Sequence, residues 1–352
     1  MAESDRAREG PGQVSDQPRE ARSARARLAP ELSSTSTSLR PVATATLWEE
    51  IVDALQAVNG GPHPGFRAVH AKGTVCEGTF TATPEAKQLS RAAHLQGDPV
   101  ETTVRFSNAS GHPRTPDADP LAGRGMAVKF HLPDGETTDI VSVALLVFFA
   151  RNPEDFLEMT RARIPDPETG QPDPEKLGAY LAEHPETGVA LQKDLPKLAP
   201  TTSFATSDYR ALHAFGLVDA EGGTHWGRYT WEPEEGPEYL TDEQREAAAR
   251  DYLQEEISER LADGIARFTL EFTLANGGDP LEDPTADWEG EHEGVELGEL
   301  EVLRVVEDAE TPDNPIVFDP MRLRDGIEPS ADPILAARPK AYSVSIERRT
   351  AS

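Results

Sequence analysis

Three separated segments of the 352-residue sequence carry side chains that could do chemistry. The first is Phe66–Gly73 (FRAVHAKG), with a histidine at position 70. The second is Val104–Ser107 (VRFS), with Arg105 and Ser107. The third runs from Phe318-Asp319-Pro320 through Gly326–Ser330 (GIEPS) to Arg338, Tyr342 and Arg349. A histidine can give and take protons near neutral pH. A phenol, with a reference pKa of about 10, ionises at neutral pH only where cations offset the lost proton. Arg338 stands four residues before Tyr342 and would share a helical face with it. Pro339 lies between them; it removes a backbone donor and biases Arg338 away from helical dihedrals, which points to a helix starting after it. Arginine forks neutralise buried carboxylates better than lysine does, so arginines at fixed positions in an acidic chain stand out.

Read singly, each residue has a plainer role: a strand histidine at the surface or in a satisfied core, a packing tyrosine, arginines on solvent-facing strands. Other chemistries are excluded by missing motifs. There is no HExxH, CxxC, GxxxxGK[ST] or GxSxG, and no GxGxxG after a strand, so zinc-hydrolase, P-loop and ordinary dinucleotide readings fall. The run Glu289, Glu291, His292, Glu293 reads as solvated surface rather than as a cation site.

Read together, the three segments become specific. GIEPS begins sixteen residues before a tyrosine flanked by Arg338 and Arg349, and VHAKG and VRFS precede it in matching order. On these motifs the sequence resembles the catalase family, most of all its small branch of catalase-related peroxidases, over about residues 64–349. DPLAGRGMAVKF (Asp119–Phe130) and Asp139–Arg151 look like the family's successive barrel strands. The resemblance implies a haem b cofactor (iron protoporphyrin IX) with Tyr342 as the iron's axial ligand and Arg338 supporting its charge. It implies that Arg67, Arg105 and Arg349 neutralise the haem propionates, and that Val69, Phe148 and Phe149 line the distal side. His70 becomes the acid and base that moves a proton between the two oxygens of a peroxide, and Ser107 hydrogen-bonds its other nitrogen.

The function implied is a haem peroxidase reducing hydrogen peroxide or organic hydroperoxides with an external electron donor. The alternatives are a catalase, a fatty-acid hydroperoxide isomerase and a non-catalytic haem carrier or sensor. One departure bears on the choice. The family's strand carries an asparagine that orients peroxide beside the histidine, and an ungapped match puts Ala144 there. Loss of one aimed donor costs on the order of a hundredfold in rate, which counts against fast dismutation. Ser142, two residues earlier on a strand, would point the same way and could substitute at longer reach. The sequence stops ten residues after Tyr342, so the C-terminal helical region and flavodoxin-like domain of larger catalases are not expected; a homo-oligomer is left open.

The elements that must position these residues follow from patterning. The expected fold is α+β: an antiparallel barrel of about eight strands with surrounding helices and the cofactor at its side. Strands are predicted over Ala68–Thr83, Thr102–Ser107, Gly125–His131, Asp139–Ala150, His213–Asp219, Trp226–Glu232, Ala266–Leu274 and Val295–Val306. A helix carries Leu47, Ile51, Leu55 and Val58 and stops at Gly60-Gly61. Others start at Thr83-Pro84, at Asn152-Pro153 and at Thr241, whose capping box with Gln244 opens a charged run to Leu261. Asp279–Gly298 reads as a long surface loop. Residues 1–45 hold too little apolar surface to fold and are expected to be a disordered arm before one domain at 46–352.

Composition narrows the setting. A net charge of −29 repels phosphate backbones and anionic lipids, so no nucleic acid partner is expected. The 27 glycines and 30 prolines disfavour a long helical bundle. A single cysteine, Cys76, permits no internal disulfide or thiolate cluster and suits a reducing compartment. The longest apolar run, Ile140–Ala150, is too short to span a bilayer, and no signal-peptide pattern opens the chain, so a cytoplasmic location is expected.

Overall fold

The computed structural model describes residues 45–351 except Pro312; the expected N-terminal arm lies outside the described residues but for its last position. Among the described residues ten strands form one antiparallel sheet: β1 (Gly73–Ala82), β2 (Val100–Asn108), β3 (Arg124–His131), β4 (Thr137–Val143), β5 (Tyr209–Arg210), β6 (Phe215–Val218), β7 (Thr224–Pro233), β8 (Ala266–Leu274), β9 (Gly294–Val305) and β10 (Ile327–Pro329). The order β7-β5-β4-β3-β2-β1-β9-β8 closes on itself through β7–β8 pairing, an eight-stranded barrel; β6 and β10 extend from β7 outside the ring. The helices are α1 (Leu47–Val58), α2 (Pro84–Leu89), α3 (Pro153–Ala162), α4 (Pro174–Glu183), α5 (Pro185–Asp194), α6 (Asp242–Ala247), α7 (Tyr252–Asp263) and α8 (Pro333–Thr350).

Alternation dictates what the barrel holds. On β8, Phe268, Leu270 and Phe272 are fully buried while Thr and Glu residues intervene. With Phe80, Phe106, Phe130 and Trp231 they fill the interior, Phe80 meeting Phe130 edge-on at 5.3 Å. Eight strands leave room for a side-chain core and little else, so chemistry is relegated to the outer face. VRFS is written for that division: Val104 and Phe106 join the core, which sends Arg105 and Ser107 outward.

Several boundaries depart from the sequence expectation for identifiable reasons. Residues 68–72 form a loop before β1, its amides bonded to Ala109 and Ser110. The strand expected to Ala150 ends at Val143, because the amides of Leu146 and Phe148 are taken by Asp194 and by the Pro284 carbonyl. The segment predicted at His213–Asp219 is β6, outside the ring, and two-residue β5 takes the place it was given; so short a strand leaves no periodic trace. The helix expected from Thr241 to Leu261 breaks into α6 and α7, the break pinned by Arg250, whose carbonyl receives the Asp117 amide and Lys72.

Helix α8 starts before Pro339 and continues through it. Asp332 accepts from the amides of Ile334 and Leu335, Pro333 fills the first helical position, and the helix packs along α1 and α3. Capping and docking offset the one backbone bond the proline forfeits. Among the described residues no helix is long and apolar enough to cross a membrane.

Candidate active site

His70 sits at the end of the loop leading into β1 with φ +55°, a left-handed conformation that costs a non-glycine residue roughly 1–2 kcal/mol. Three bonds hold it there. Its amide donates to the Ala109 carbonyl (3.2 Å), its carbonyl accepts from Arg105 Nη2 (3.1 Å), and Nδ1 lies 2.9 Å from Ser107 Oγ. Beneath the ring lies Gly125 of β3, paired directly with Ser107. A Cβ at Gly125 would fall 2.7 Å from His70 Cε1 and 3.1 Å from Ser107 Oγ. The sequence therefore supplies a glycine where the imidazole must lie against the sheet.

Burial holds His70 down to about 3, with the charges of Arg105, Arg67 and Arg338 acting in the same direction. The ring is neutral at any ordinary pH, and with Nδ1 on Ser107 its Nε2 is the group left to exchange protons.

Helix α8 presents the other half. Arg338 Nε donates to the Tyr342 phenol oxygen at 2.8 Å, one turn apart as the four-residue spacing predicts. The loop and the helix meet: the Ala68 amide approaches Ser345 Oγ at 3.5 Å. Behind Arg338 is a pair the sequence reading missed. His213 Nδ1 and Asp332 Oδ2 are 2.6 Å apart and fully buried, and Arg338 is close enough for its charge to act on the His213 ring. Burial lowers the His213 pKa while Asp332 opposes that shift. The Asp-Pro start of α8 was legible; that Asp332 also receives a distant histidine was not.

The three arginines expected to bind carboxylates do converge on one, Glu310. Arg67 and Arg349 donate to Oε1, Arg349 at 2.9 Å, and Arg105 Nε donates to Oε2 at 2.7 Å. Burial pushes the Glu310 carboxyl up, but Arg105, then Arg67 and Arg349, outweigh it and hold it at about 2. Glu310 lies in an acidic run with no motif to single it out. Phe318 packs under the same cluster, its ring 5.9 Å from the Arg67 guanidinium. Asp139 receives the Asp319 amide and Lys129, fastening this segment to β4.

The distal apolar residues divide. Val69 is half-buried beside His70. Phe149 stacks with Phe148 and Phe156 and packs on the Met159, Ala162 and Tyr180 cluster of the helical layer. On β4 the register Ser107–Gly125–Val143 puts Val143, not Ser142, on the His70 face. Ser142 is paired with Met126 and turns into the barrel wall, so it does not substitute for an asparagine. Ala144 continues the ladder through Arg124 and is buried within the core.

Donor chemistry fits a flat cofactor with an acidic rim: guanidiniums already arranged around a carboxylate, an arginine-supported phenol on α8, and a neutral imidazole on the facing loop. The profile of the catalase family matches residues 52–352. A catalase-related peroxidase of Mycolicibacterium paratuberculosis is 39% identical, covering 86% of this chain and 94% of that protein. Another from Synechococcus elongatus is 34% identical, covering 88% and 90%. A crystallised fungal catalase superposes with a TM-score of 0.73 at 22% identity, over 86% of this chain; the match spans 63% of that longer protein and speaks to the fold. With profile, relatives and barrel in agreement, the chain belongs to the catalase family.

Proposed function

We propose that this chain is a haem-dependent peroxidase, with haem b as its cofactor, that reduces hydrogen peroxide or organic hydroperoxides at the expense of an external electron donor. The observation that carries the reading is the convergence of His70, the Arg338–Tyr342 pair and the carboxylate-binding arginines where one loop meets α8. The catalase-related peroxidases it resembles over nearly their whole length support it.

In this reading Tyr342 ligates the iron, and Arg338 stabilises the negative charge on the phenol oxygen. Arg67, Arg105 and Arg349 hold the propionates. Bound haem would supply the redox-active iron for two-electron chemistry between peroxide and donor. The protein's task is proton traffic. His70, with Nδ1–H donated to Ser107, accepts at Nε2 the proton of the peroxide's inner oxygen and returns it to the outer one, so that the O–O bond breaks heterolytically. Its low pKa keeps the acceptor free.

Peroxidase is favoured over catalase by what flanks the histidine. Dismutation needs a second peroxide held for donation of both hydrogens, and on the His70 face β4 offers Val143, which has no hydrogen-bonding side chain. The proposed setting is the cytoplasm, with a small peroxide and a reducing co-substrate as partners. The test is wild type beside His70→Ala, both reconstituted with hemin, with oxygen release and donor oxidation recorded together. Donor oxidation should exceed oxygen release and fall by about 10²–10⁴ in the variant. Oxygen release far above donor oxidation would mean a catalase, rearranged lipid hydroperoxide an isomerase, and indifference to the substitution a carrier.

A further inference from the structure

The functional reading accounts for three arginines but not for the carboxylate already between them. Arg105 and Arg349 have nearly inaccessible side chains and Arg67 is largely covered, so three positive groups are crowded where water screens them poorly. Burial lowers the Arg105 pKa to about 10, with Arg67 adding to the effect, the expected result of packing like charges out of solvent. Glu310 relieves that repulsion and saturates both of its own oxygens in doing so.

Its backbone is loosely tied. Val306 is bonded to Val75 at the end of β9, and the Ile316 carbonyl accepts from Arg67. Between them, the hydrogen bonds among the described residues are a local Thr311–Asn314 pair, the Asn314 side chain on the Ala309 carbonyl, and the Glu310 carboxylate itself. This turn is thus fastened to the barrel chiefly through the one side chain that occupies the arginines.

We propose that Glu310 is a built-in competitor for the cofactor's carboxylates: it holds the arginine cluster together in the haem-free protein, and it must swing away with its turn as haem enters. The inference rests on the haem reading above. Its logic is exchange of like for like. One carboxylate replaces another on the same guanidinium N–H groups, so the apparent affinity for haem is the intrinsic affinity reduced by the fraction of molecules with Glu310 displaced. The return is a haem-free chain whose arginines are neither solvated nor mutually repelling.

The experiment is hemin titration of haem-free wild type and Glu310→Gln, followed by absorbance, with thermal unfolding of both haem-free proteins. The variant should bind hemin roughly tenfold or more tightly, the amount expected where under a tenth of wild-type molecules have the carboxylate displaced, and should unfold at a lower temperature without hemin. Equal or weaker hemin binding by the variant overturns the proposal, since Glu310 would then be a resident counter-ion in the loaded protein. Should Glu310→Gln fail to fold, wild type alone decides the matter by amide hydrogen exchange across residues 307–316. Faster exchange on hemin addition supports displacement, and slower or unchanged exchange overturns it. If wild type takes up no hemin, the haem reading itself has failed and this inference goes with it.

Discussion

Gly125 and His70 are fitted to each other: the ring lies where a side chain on the glycine would have to be, 2.7 Å from an added Cβ. Gly125→Ala should therefore displace the imidazole and break its approach to Ser107. Overpacking of this kind costs about 1–3 kcal/mol, and the expected result is a folded protein that still binds hemin with donor oxidation down at least about tenfold. Normal turnover in that variant would show that the ring's seat against β3 is immaterial.

Asparagine scanning of β4 separates two neighbours. Val143→Asn places an amide on the face shared with Ser107 and His70, and should raise oxygen release relative to donor oxidation by supplying the missing donor. Ala144→Asn puts the same amide into the barrel core, where an unpartnered polar group costs about 1–3 kcal/mol, and should lower stability with no such gain. An increase in oxygen release from the second variant and not the first would reverse the assignment of faces.

Replacing Arg338 by Leu removes the donor on the Tyr342 oxygen. Hydrogen bonds to charged groups contribute about 1.5–3 kcal/mol, so hemin affinity should drop about ten- to a hundredfold, and Arg338→Lys should recover only part of it because a point charge cannot reproduce the guanidinium fork. Unchanged affinity in both variants would detach the arginine from iron ligation.

Acid should destabilise the haem-free protein well before its carboxylates titrate. His70 is held down to about 3 and His94 to about 4, in each case chiefly by burial, and His213 is lowered for the same reason. An unfolded chain protonates these rings near pH 6.5 while the folded one refuses. Stability from this source is therefore full above about 6.5 and falls below it by about 1.4 kcal/mol per pH unit for each of His70 and His94, with His213 acting in the same direction. Glu310 adds a second loss lower down. Its contribution is complete above about pH 4.3 and disappears as pH falls through its folded value of about 2. Urea midpoints measured from pH 7.5 to 4.5 should decline steadily below 6.5, and a flat profile would contradict the burial of these rings.

How much of this was written in the sequence depends on the range over which each feature is encoded. The alternation of Phe268, Leu270 and Phe272 reports a strand from within itself, and β8 has the predicted bounds. Arg338 and Tyr342 are related by one helical turn; their spacing suited the contact, while Pro339 between them argued for a later helix start that α8 does not take. Where a segment's fate is decided by distant partners, local pattern fails. Ile140–Ala150 is apolar but for Ser142, yet it leaves the sheet after Val143 because Asp194 and Pro284 claim its amides. His213 and Glu310 were missed for the same reason, since their roles exist only once Asp332 or the three arginines are brought to them.

The contact between Ala68 and Ser345 joins positions 277 apart in the chain. The histidine loop and the tyrosine helix can meet only after the barrel strands that lie between them in sequence, and support the loop, have been made. A ribosome-bound fragment with the barrel already folded would present His70 and Arg105 without Tyr342 or Arg349. On the proposed assignment, capture of the prosthetic group falls late in biogenesis, because a chain cut before α8 lacks Tyr342.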